Sequence, residues 1–116
     1  MMSFQETLRR LAMIDEAFVA GRAGLRLDPA GTVALDARTA WLLQLGVSVA
    51  LGSSEVGLEW CTARALAAGA TEIEIADVLL VIAPLTGLGL VVGAAPGVAA
   101  GLGYDVAAAL EDPGGQ

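Results

Sequence analysis

The sequence predicts an all-α fold, on three observations. Alanine, glycine, leucine and valine dominate a chain in which aromatic residues make up only 4%, a composition suited to closely packed helices rather than a sandwich of strands. Helix-start signals recur: Ser3-Phe4-Gln5-Glu6 and Thr71-Glu72-Ile73-Glu74 each set a capping hydroxyl three residues before a carboxylate, so that side chains satisfy the orphan N–H groups of a first turn. The β-branched stretches, Thr32-Val33-Ala34-Leu35 and the Val81-Ile82 region, are short or joined to helical patterns, and no strand is expected.

Taken in order, the Ser3 box starts a helix running to about Ala12, with Phe4, Leu8, Leu11 and Ala12 on one side, an amphipathic spacing. A second short helix is expected over about 14–20, ending at Gly21. Residues 22–33 carry the turn signals Gly24, Asp28-Pro29 and Gly31 and little periodicity, which suits a connection or a lid over a pocket. Residues 1–34 thus form an N-terminal arm and connecting loop, residues 35–112 the helical core and residues 113–116 a tail with no core-forming side chain. The arm would either reach over a neighbouring subunit or fold onto its own core.

Asp36 caps the next helix, to about Leu51, which is apolar nearly all round and should be sandwiched between others. Its polar exceptions, Gln44 and Ser48, lie four apart and share a face. The stretch Gly52 to Gly69 reads as a helix with serines at its start and Gly69 as its stop. The helix from Thr71 is expected to end near Ala83, because Pro84 disfavours helical geometry at the residue before it. Pro84 and Pro96 would then each open a further helix, and the row Gly89, Gly93, Gly97 and Gly101 would be split between two helices. Asp105 caps a last helix to about Glu111.

Whole-chain properties bound the function. With 56% hydrophobic and 16% charged residues in 116, the chain has more apolar surface than a monomer of this size readily hides, so self-association is expected. A net charge of −7 with six basic residues, all arginine, argues against a nucleic-acid partner. There is no histidine and one cysteine, which excludes a Ser-His-Asp or Cys-His site and a Cys/His zinc centre within one chain. No metal or cofactor is expected. The lone cysteine and an N-terminal stretch without the apolar core of a signal peptide suit a cytoplasmic protein. The interval between Asp77 and Asp105 has no charge and exceeds the ~20 residues that span a bilayer. Its two prolines, its glycines and its acidic flanks favour a buried soluble core, so no membrane association is expected.

The helix-Gly-capping-box-helix arrangement of Gly52 to Glu74, followed by Val78-Leu79-Leu80-Val81-Ile82, resembles the carboxymuconolactone decarboxylase family, which includes the AhpD-type peroxidases. The resemblance covers roughly Asp36 to Ala94 and implies an AhpD-like helical bundle that assembles as a homotrimer or homohexamer. The redox branch of that family carries C-x-x-C-x-x-x-H on the first of these helices, with a glutamate about three turns upstream. Counting back from Gly69, the cysteine positions fall on Ser54 and Gly57, the histidine position on Cys61 and the glutamate position on Trp41 or Leu42. Each reactive group is replaced, so peroxidase activity is not implied.

Candidate functional residues follow from this helix and its neighbour. Positions 54, 57 and 61 share one face at i, i+3, i+7, and Cys61 is the single thiol available on it. Glu55 and Glu59, one turn apart and offset from that face, could perform acid–base work if burial raised one pKa. Arg38 and Arg64 could bind a carboxylate, Arg64 could stack on Trp60, and Trp41 and Gln44 could line a pocket. The sequence therefore supports a binding or scaffold protein with a small organic or anionic ligand, or alternatively a residual enzyme, decarboxylase-like or thiol-dependent, working through Cys61 and Glu55/Glu59.

Overall fold

A computed structural model describes residues 3–12 and 34–111, in which six α-helices follow one another. They are α1 (Phe4–Ala12), α2 (Ala37–Ala50), α3 (Glu55–Ala67), α4 (Glu72–Thr86), α5 (Leu88–Gly101) and α6 (Val106–Glu111). The expected helix over 14–20, the connection over 22–33 and the tail over 113–116 lie outside the described residues.

Local chemistry sets the helix starts. The Asp36 carboxylate accepts the Thr39 N–H at 2.8 Å, the Ser54 hydroxyl accepts the Gly57 N–H at 3.1 Å, and Asp105 accepts from Ala108 at 3.0 Å. Ser54, not Ser53, is thus the cap of α3. At α4 the capping box is complete: Thr71 accepts from Glu74 N, and Glu74 accepts from Thr71 N at 2.9 Å. At α1 the Ser3 hydroxyl accepts the Glu6 N–H, while the Glu6 side chain turns to Arg9 and Arg10. Helix α3 ends at Gly69, whose φ of +102° lets the Ala70 N–H reach back to the Ala65 carbonyl at 3.0 Å, burying Ala65 and Ala70 against each other's turn.

The prolines act differently from the sequence expectation. Helix α4 continues through Pro84 to Thr86, and α5 runs unbroken through Pro96. Both rings lie on exposed positions, as do Leu80 and Val92 four residues earlier, so the carbonyls left without a donor face solvent rather than the core. The break falls instead at Gly87, whose φ of +92° is open to glycine and costly for other residues. In consequence all four glycines of the 89–101 row share one helix, not two.

Trp41, Leu45 and Val49 of α2, Leu58, Cys61 and Ala65 of α3, Ile75 of α4, and Ala94 and Val98 of α5 form the core, the larger ones each contributing roughly 1.5–3 kcal/mol on burial. Helices α3 and α5 approach most closely. A Cβ on Gly97 would lie 3.0 Å from the Glu55 carbonyl, and one on Gly101 would lie 2.5 Å from Thr62 Cβ. The other face of α2 is not sandwiched as its composition leads one to expect: Leu43, Val47 and Leu51 are exposed. Among the described residues no helix is long and apolar enough to cross a membrane, since Gly87 divides the uncharged interval in two.

Candidate functional site

The face of α3 that carries Ser54, Gly57 and Cys61 begins at the solvent and ends in the core. Ser54 is exposed and its hydroxyl is engaged in capping. Gly57 is half-buried, and a Cβ there would sit 3.3 Å from Ser54 Oγ, so the two positions are neighbours in space. One turn further, Cys61 is buried at 8% exposure, its Sγ 3.7 Å from the Ser48 hydroxyl of α2. The helix N-terminus, where a thiolate would be stabilised by the dipole, therefore holds a hydroxyl, and the thiol lies about two turns inside.

Trp41 stands beside this face, 2% exposed. Its ring meets Trp60 edge-on with centroids 5.4 Å apart, and the Arg64 guanidinium lies over it at 5.6 Å. Sequence spacing suggests stacking of Arg64 on Trp60, one turn away along α3. The ring found beneath it is Trp41's, because α2 packs across this turn and brings that ring under the guanidinium. The Trp41–Trp60–Arg64 cluster thus binds α2 to α3 and leaves Trp60 46% exposed at its rim.

The remaining candidates are not gathered here. Glu55 and Glu59 are exposed; it is their backbone carbonyls that face Gly97 and Gly101. Gln44 is exposed while Ser48, one turn on, is half-buried against Cys61. Arg38 donates to the Glu74 carboxylate at the far end of α2. Glu74 is held below its ordinary pKa by the Thr71 N–H first and then, against the opposing effect of burial, by the Arg38 charge. Two features are missed by sequence spacing alone: the Ser48–Cys61 contact, which needs the α2–α3 crossing, and Thr62, fully buried with no hydrogen-bond partner for its hydroxyl among the described residues.

On the opposite face of α2 lies an apolar groove of about 690 Å³, walled by Leu43, Val47 and Ala50 of α2 and by Val78, Val81 and Leu85 of α4. Glu74 and Asp77 close one end. Gly46 forms part of its floor, a Cβ there falling 3.5 Å from Val78 and Ile82.

In a comparison against family models, the carboxymuconolactone decarboxylase family matches residues 14–100. The chain belongs to that family. No curated protein and no solved structure matches it. Within this carboxymuconolactone decarboxylase family member, the 54–57–61 face of α3 holds a capping serine, a glycine and a packed cysteine.

Proposed function

We propose that this family member has no peroxidase activity and works as a homo-oligomer, a trimer or a hexamer, that holds a small organic or anionic molecule at a subunit junction. The observation that carries it is the state of the 54–57–61 face. A single buried thiol forms no disulfide within the chain, and the hydroxyl in the first motif position is already spent on the helix cap. Trp60, 46% exposed beside the Trp41 ring that carries the Arg64 guanidinium, sets an aromatic surface near a cation, chemistry suited to an aromatic or carboxylate-bearing ligand.

Native mass spectrometry of the purified protein, with a denaturing spectrum of the same sample, tests assembly and retention together. An oligomer carrying extra mass that is lost on denaturation is the expected result. Peroxide consumption in the presence of a dithiol reductant should stay at the uncatalysed rate. Consumption that depends on the protein and disappears in Cys61→Ala would overturn the proposal and favour the thiol enzyme; activity that survives Cys61→Ala but is lost with Glu55 or Glu59 would favour the carboxylate one.

A further inference from the structure

We draw no further inference here: the strongest candidate, the apolar groove between α2 and α4 that Glu74 and Asp77 close at one end, carries none, because nothing in the structure shows what covers it.

Discussion

At Ser54 one side chain decides a helix start: its oxygen accepts the Gly57 N–H and closes the first turn of α3. Ser54→Ala should therefore destabilise the protein by about 1 kcal/mol, measured by denaturant unfolding, while Ser54→Asp, which also caps, should restore most of the loss. An unchanged midpoint in the alanine variant would contradict the capping role. A second residue-scale consequence concerns acid. Glu6 is held down to about 2 by hydrogen bonds from Arg9 and Arg10, Asp36 is lowered by its hydrogen bonds from Thr39, and Glu74 is lowered by Thr71 and Arg38. Groups with depressed folded-state pKa values add stability that is fully present above their unfolded values, 4.5 for the glutamates, and is lost as pH falls toward the folded ones. Stability should thus decline below about pH 4.5, and Glu74→Gln should make that decline shallower, as followed by helical circular dichroism at a series of pH values.

At the scale of the helices, what could be read from sequence was what local chemistry decides. Asp36, Thr71 and Asp105 announce three helix starts, and the pair Ser53-Ser54 a fourth to within one residue, because a capping side chain acts on N–H groups two or three residues away. The ends at Pro84 and Pro96 misled for the complementary reason: whether a proline stops a helix depends on where its freed carbonyl points, and that is set by packing. The candidate site shows the same division. Positions 54, 57 and 61 share a face by periodicity alone, whereas the contact of Cys61 with Ser48 and the pairing of Arg64 with Trp41 need the α2–α3 crossing. The unbroken α5 has a testable result, since its glycine row meets two different surroundings. Gly101→Ala would drive a methyl to within 2.7 Å of the Glu59 carbonyl, backbone that has little room to yield, and should cost about 1–3 kcal/mol. Gly93→Ala meets nothing within 4 Å and should be neutral or stabilise the helix by up to ~1 kcal/mol. Equal effects in thermal or urea unfolding would mean that α5 does not seat α3 as described.

For the molecule as a whole, the question is what holds so apolar a chain in solution. Exposed apolar side chains lie on both sides of the α4–α5 junction: Leu80, Val81, Leu85, Leu88 and Val92. A surface of this kind and size is removed from water by other copies or by aggregation. If by other copies, folding and assembly are linked, and the unfolding midpoint should rise with protein concentration. Leu85 allows the two to be separated. It is 91% exposed in the single chain, so Leu85→Glu removes almost no contact within one copy and leaves the helix propensity of α4 nearly unchanged. Buried between copies, the same carboxylate would be strongly unfavourable. Sedimentation velocity should then find the variant shifted to smaller species than the wild type, with helical content intact and a midpoint no longer dependent on concentration. A variant that sediments as the wild type does would show that this corner stays in water in the assembly, and would move the interface away from the α4–α5 junction.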